Sequence, residues 1–357
     1  MTLVLILAAA IWGLGMALKL PVVARLYMMG LLYVAVLFAL VALPAGNGLR
    51  QSLGGSPGQW LVLGGLVGLI LLYRAGLGRV RARARAVEAA REPEAAPAPD
   101  RLSTVELDRY ARHIVLREVG GAGQMRLRRA RVLVVGAGGL GSPVLLYLAA
   151  AGVGVIGVID DDTVSLSNLQ RQVLFTDDDS GTPKVFAAKT RLAALNPHVE
   201  VRPYNRRLTP EIAADLLAEY DLVIDGSDSF ETRETVNRAA VATGTPLLFG
   251  AISQWEGQVT LYDPARGAPC LSCLYPQAPA PGLAPSCAAA GVIGPLPGVV
   301  GSILALEAIK EVTGAGQGLR GAMLLWDGLD ADARRIEVSR RAGCAVCGGR
   351  GPTGTPG

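Results

Sequence analysis

Apolar residues fall into two regimes along this chain. From residue 1 to 73 they run on almost without charge, whereas beyond Arg74 they come in short clusters separated by polar positions. Residues 2–18 and 26–43 are continuous apolar runs, and residues 60–73 form a shorter third that the Gly-rich stretch 53–58 could extend. A bilayer core of about 30 Å takes roughly 20 helical residues, with about 17 as a lower limit, so the first two runs are long enough to span and the third is marginal. Apolar all round, the runs lack the polar face that a helix on a soluble domain keeps. Further on, residues 131–135, 155–159 and 221–224 predict short strands, and residues 143–151, 230–240 and 302–312 predict helices. Alternation of this kind predicts an α/β fold, a doubly wound Rossmann-like domain with a mostly parallel sheet. The expected organisation is a membrane anchor of two or three transmembrane helices over residues 1–73 and a charged, Pro-rich linker over 74–102. A catalytic-sized domain over 103–350 and a disordered tail over 351–357 complete it.

Charge sets the orientation. Lys19 and Arg25 lie between the first two runs and Arg74, Arg79, Arg81, Arg83 and Arg85 come after the third, while Arg50 alone lies between the second and third. The excess of cations on one side places the N-terminus outside and everything after Arg74 in the cytoplasm, which is the topology of a multi-pass protein of the inner (cytoplasmic) membrane. A cleaved signal peptide would carry a basic n-region, which residues 1–18 lack. The composition, 51% hydrophobic, reflects this anchor, and a net charge of +4 is too small and too dispersed to suggest a nucleic-acid partner. All five cysteines lie beyond residue 269, four of them as two Cys-x-x-Cys pairs. In a reducing compartment that spacing speaks for metal rather than disulfides.

The candidate chemistry begins after the first predicted strand. Gly136-Ala-Gly138-Gly139-Leu-Gly141 leads into a helix, an arrangement in which backbone approaches a phosphate and the helix N-terminus offers free N–H groups. Asp160 ends the next strand, about 20 residues past the last glycine, where a carboxylate bonds a ribose hydroxyl. Alone, this fingerprint would suit an NAD-dependent oxidoreductase. The residues beyond Asp160 point elsewhere: Asn168, Arg171, Gln172 and Lys184 bring amide, guanidinium and ammonium groups behind the acidic run 160–162. Such groups clamp the charge of a triphosphate, and hydride transfer needs none of them. A third strand ends in Asp225-Gly-Ser-Asp228-Ser229, placing Asp228 to hold Mg²⁺ against ATP; Ser227, Asp228 or Ser229 could equally cap the next helix.

These residues resemble the MoeB/ThiF/HesA family, bacterial relatives of ubiquitin-activating enzymes. The resemblance covers residues 107–347 and rests on separated blocks: Arg109-Tyr-Ala-Arg112, the glycine loop 136–141, Thr163-Val-Ser-Leu-Ser-Asn168-Leu-Gln-Arg171, Glu256-Gly-Gln258 and the two cysteine pairs. It implies an adenylyltransferase that uses MgATP to activate the C-terminal carboxylate of a ubiquitin-like sulfur-carrier protein ending in Gly-Gly, MoaD-like or ThiS-like, in molybdopterin, thiamine or another sulfur pathway. It further implies that Asp160 binds ribose, that Asn168, Arg171 and Lys184 handle phosphates, and that Asp228 serves Mg²⁺. Arg112 matches an arginine that reaches into the other subunit's ATP site, so a homodimer is implied, with a cysteine desulfurase or rhodanese-type protein as sulfur donor.

Cys270, Cys273, Cys344 and Cys347 supply four thiolates, the ligand set of a closed structural zinc site. Cys287 is left over; in the family this position carries a covalent link to the carrier in some members only, and a lone cysteine is otherwise a small buried hydrophobe. Gln254 and Ser229 stand where relatives often carry Arg and Asn. Two rival readings share the nucleotide core: an enzyme like tRNA threonylcarbamoyladenosine dehydratase, and a membrane-bound nucleotide sensor without turnover.

Overall fold

The computed structural model describes residues 2–44, 46–89, 101–277 and 291–348. The chain divides into two compact units, residues 1–95 and 96–357. Of the expected segments, most of the linker beyond residue 89, the tail 351–357 and Cys287 lie outside the described residues.

The first unit is helical: α1 (Thr2–Ala17), α2 (Val22–Ala42), α3 (Gly48–Leu53) and α4 (Pro57–Ala89). Two stretches, Val22–Ala42 and Gly48–Arg81, are long and apolar enough to cross a membrane. The order of merit differs from the expectation. The first run yields a helix of 16 residues, about 24 Å long at 1.5 Å per residue, because Lys19 turns left-handed (φ 53°) and Pro21 opens the next helix. The third run, marginal in the sequence, sits in a helix of 33 residues, because helical hydrogen bonding carries on through the arginines. Val4, Val36, Leu40, Leu53 and Trp60 form a small core between the helices. Tyr33 donates its hydroxyl proton to the Trp60 carbonyl (2.7 Å), and the Trp60 indole donates to the Gly54 carbonyl (2.9 Å). Outside that core many large side chains, Leu31, Phe38 and Leu72 among them, are exposed.

In the second unit, α5 (Thr104–Arg109), α6 (Ala111–Ile114) and α7 (Gly120–Arg129) precede a sheet of eight strands in the order β3-β2-β1-β4-β5-β6-β7-β8. The strands are β1 (Arg131–Val135), β2 (Val155–Ile159), β3 (Glu200–Tyr204), β4 (Leu222–Asp225), β5 (Leu247–Ser253), β6 (Glu256–Tyr262), β7 (Ala322–Asp327) and β8 (Asp332–Glu337). The first five in spatial order pair in parallel and the last three are added antiparallel. Crossovers are made by α8 (Gly141–Ala151), α9 (Lys184–Leu195), α10 (Pro210–Leu217) and α11 (Phe230–Thr243); α12 (Leu271–Leu274) and the helix Pro295–Thr313 come after β6.

Alternation along the strands explains the layers. Val132 and Val134 of β1 pack with Leu145 and Leu148 of α8 and with Val300 and Leu304 of the Pro295–Thr313 helix. Leu133 and Val135 point the other way, into a second core with Leu217 of α10 and Val236 of α11. Each fully buried leucine contributes about 1.5–3 kcal/mol, and Leu145 and Leu148 are both fully buried. From β1 the chain winds outward through β2 to β3, then returns to β4 on the other side of β1. The C-terminal ends of β1 and β4 therefore flank a switch point, where the loops 136–141 and 226–229 meet and doubly wound sheets bind ligands.

Candidate active site

Three of the four loop glycines have packing reasons. Gly136 has φ 91°, and a Cβ there would lie 3.3 Å from the Gly226 carbonyl carbon. A Cβ on Gly139 would press on Pro297 at 3.1 Å, and one on Gly141 would collide with the Gly136 carbonyl. Gly138 is different: its Cβ would meet nothing closer than the Gln172 amide nitrogen, at 3.7 Å. That glycine leaves open space against the loop. Gln172 is itself buried, and its amide oxygen has no partner among the described residues.

Asp160 closes the loop from the β2 side. One carboxylate oxygen accepts from the Ala137 backbone N–H (2.7 Å) and the other from the Asp162 N–H (2.8 Å). Burial pushes its carboxyl above the ordinary carboxylate range, opposed by Lys184 and by those two N–H groups. Lys184 opens α9, is almost wholly buried, and places its ammonium 2.6 Å from Asp162 and 4.0 Å from Asp160. Arg171 donates to the Asn168 side-chain oxygen at 2.9 Å. The structure thus brings together the glycine loop, Asp160, Lys184 and, on the segment after β2, the Asn168–Arg171 pair. Asp162 belongs with them. It stood in the acidic run of the sequence, but nothing local marks it as the partner of a lysine 22 positions away.

Asp228 lies on the loop after β4 and is exposed, with no hydrogen bond or ion pair among the described residues. The capping question is settled in favour of Ser229, whose hydroxyl accepts from the Thr232 N–H at 3.1 Å. Asp228 is thereby left available to a ligand. Under the loop, Asp225 is fully buried and burial raises its carboxyl pKa, with Arg233 opposing.

The cysteines converge although the two pairs are far apart in the sequence. Sγ–Sγ distances are 3.9 Å for Cys270–Cys273, 3.6 Å for Cys270–Cys344 and 3.4 Å for Cys273–Cys347. Tetrahedral zinc with Zn–S bonds of about 2.3 Å spaces its sulfurs about 3.8 Å apart, so the four fit that ion. Burial pushes the Cys270 thiol up; Cys344 comes down to about 6 despite burial, because the Cys347 and Val346 backbone N–H groups bond its sulfur. Four thiols packed this closely form a ligand set that a divalent cation binds as thiolates.

The ThiF family profile matches residues 110–346, which takes in the whole sheet, the crevice and all but the last of the four clustered cysteines. The chain belongs to the ThiF family. A sulfur carrier protein adenylyltransferase of Thermus thermophilus is 54% identical over 247 residues, covering 68% of this chain and 91% of that relative. A SAMP-activating enzyme E1 of Haloferax volcanii is 47% identical, covering 69% and 91%. A probable adenylyltransferase/sulfurtransferase MoeZ of Mycobacterium tuberculosis is 47% identical, with 67% of this chain matching 62% of it. Among solved structures, Escherichia coli MccB with ATP superposes with a TM-score of 0.59 at 24% identity, covering 67% of this chain and 74% of that one; this likeness concerns the fold.

Relative to the ThiF match, the helical unit 1–95 stands outside, and α6, with Arg112, stands at its start. Arg112 is exposed. Its helix is held to the core from both sides: the Asn196 side chain donates to the Tyr110 hydroxyl (2.8 Å), and His113 Nδ1 lies 3.2 Å from the Gln124 oxygen. Gln258, on β6, accepts from the Tyr275 hydroxyl at 3.0 Å. Gln254, at the β5–β6 turn, has φ 41°, a conformation that disfavours a bulky side chain.

Proposed function

We propose that this ThiF-family chain is an ATP-dependent adenylyltransferase acting on the C-terminal glycine carboxylate of a ubiquitin-like sulfur carrier. The carboxylate oxygen attacks the α-phosphorus of ATP, the bond to the β-phosphate breaks, and pyrophosphate leaves from an acyl adenylate. The observation that carries this reading is the crevice itself: a buried lysine, an Arg171–Asn168 pair and a free Asp228 around a switch-point loop. A carboxylate is a weak anionic nucleophile approaching a polyanion, so such a site must neutralise charge more than it must move protons. The similarity to the Thermus thermophilus relative over 91% of that relative's length supports the substrate class.

In this reading Asp160 takes the ribose hydroxyls, Lys184 and Arg171 bind phosphate oxygens, and Asn168 holds Arg171 in place. Asp228 would hold Mg²⁺, which neutralises phosphate charge when bound. The four cysteines would hold a structural zinc, and Arg112 would complete the ATP site of a second copy in a homodimer. A persulfide-bearing donor protein would supply sulfur after adenylylation. Residues 1–73 would anchor the enzyme to the inner membrane with the catalytic domain, 103–350, in the cytoplasm; the two long apolar helices and the arginines after Tyr73 support this.

The test is ATP/pyrophosphate exchange with and without a carrier ending in Gly-Gly. Exchange that needs the carrier and falls at least about a hundredfold in Asp228→Ala is expected, the loss typical of a group that acts on developing charge. Bound ATP without exchange under any carrier would favour the nucleotide sensor, and exchange that needs tRNA would favour the dehydratase-like enzyme.

A further inference from the structure

The Asp228 side chain makes no hydrogen bond or ion pair among the described residues, so its direction is set by its backbone. Both sides of the preceding residue are held. The Ser227 N–H donates to Asp225 Oδ1 at 2.9 Å, and the Ser227 carbonyl, which belongs to the same peptide as the Asp228 nitrogen, accepts from Arg233 Nη2 at 2.8 Å and Nε at 3.3 Å. Arg233 rises from the first turn of α11 and is fixed in turn. Its guanidinium lies over the Phe249 ring, 5.2 Å from the centroid, and Phe249 is braced by Tyr262 at 5.6 Å. Asp225 beside it is fully buried, and its second oxygen has no partner among the described residues. A hydrophobic side chain would fill this space more cheaply, since a buried charge costs free energy unless it is paired.

We infer that Arg233 is a positioning residue of the nucleotide site: with Asp225 it clamps the Ser227 peptide and so aims the Asp228 carboxylate at the cation that accompanies ATP. The inference rests on the reading of Asp228 as the Mg²⁺ residue. Arg233 touches no reacting atom in this scheme. A planar fork with two donors on one carbonyl and a face on an aromatic ring is work for arginine; lysine can offer the carbonyl one hydrogen bond and no flat face.

The test uses the full chain in detergent and Mn²⁺ as an electron-paramagnetic probe. Mn²⁺ binding is measured in the presence of a non-hydrolysable ATP analogue, binding of the analogue is measured in EDTA, and the unfolding midpoint is recorded alongside. Arg233→Met is expected to weaken Mn²⁺ binding roughly tenfold, the scale of a lost charge-assisted hydrogen bond, while metal-free analogue binding stays within about twofold of wild type. Arg233→Lys is expected to fall between the two. If Arg233→Met does not fold, Arg233→Lys carries the test, and wild-type Mn²⁺ affinity in it overturns the clamp. Equal losses of analogue with and without metal would also overturn it, since they mark a merely structural role. Asp228→Ala separates the two levels: Mn²⁺ affinity unchanged there removes the metal reading and the clamp with it, whereas a loss there with intact Arg233 variants removes the clamp alone.

Discussion

Through the single side chain of Glu106, α5 is both capped and tied to α7. Ser103 and Glu106 cap α5 reciprocally, the Ser103 N–H donating to Glu106 at 2.8 Å and the Glu106 N–H to the Ser103 hydroxyl at 3.2 Å, and Arg128 pairs with the same carboxylate at 3.0 Å. Burial works against its charge, but the Ser103 bonds and Arg128 prevail, and its pKa lies below the ordinary 4.5. A carboxyl depressed by folding stabilises the native state above its unfolded pKa, and that stability is lost as pH falls through the lower folded value. Glu106→Gln should therefore cost about 1 kcal/mol at pH 7, and the gap should close as pH falls from 4.5 downward; thermal unfolding across that range checks it. Asp160 was legible from its distance to the glycine loop, because that spacing is set by one βαβ unit. Asp162 and Arg233 were not: their partners, Lys184 and the Ser227 carbonyl, are found only once β2 and α9, or β4 and α11, have packed. A sequence shows which groups can be charged and rarely which peptide they hold.

At the scale of elements, strands β1 and β2 fall where their apolar clusters predicted, since a run of five with turn residues after it has little freedom. The antiparallel extension β6-β7-β8 was less legible. Of these strands the sequence offers only the Glu256-Gly-Gln258 block, at the start of β6, and β8 is exposed along its whole length and carries no apolar alternation. Its place is fixed by pairing to β7 and by the cysteines beyond it. Cys344→Ser should therefore abolish bound zinc, measured by mass spectrometry against about one ion per chain in wild type, and lower the unfolding midpoint by several degrees. Retained zinc would mean that the four thiols are not its site. The glycine loop separates packing from binding in the same way. Gly141→Ala drives a methyl into the Gly136 carbonyl and should cost roughly 1–3 kcal/mol or more in stability. Gly138→Ala meets only ordinary contact with Gln172, so it should fold like wild type and lose ATP affinity in a titration of the purified protein.

For the whole molecule the decisive asymmetry is between the two units. Residues 1–89 contain eight cationic side chains and Glu88 as their one acid, and α4 runs for 33 residues, about 50 Å at helical rise against a bilayer core of about 30 Å. If α4 spans, roughly 20 Å of it must emerge, and the end that emerges most readily is the one bearing Arg74, Arg79, Arg81 and Arg83. If α2 and α4 both span, Lys19 and Arg25 share a side with those arginines, and Arg50 lies opposite, whether or not the shorter α1 spans as well. In that arrangement the orientation of the catalytic unit would be independent of α1, and the position of the N-terminus would depend on it alone. Full-length protein should resist carbonate extraction, and a chain beginning at Ser103 should leave the membrane fraction while keeping carrier-dependent exchange within about threefold, because the ThiF match begins only at residue 110. A cysteine placed at Thr2 should react with an impermeant thiol reagent in intact cells if α1 spans and only after lysis if it does not. A cysteine placed beside Arg50 should react in intact cells in both cases, and its protection there would overturn the two-helix span.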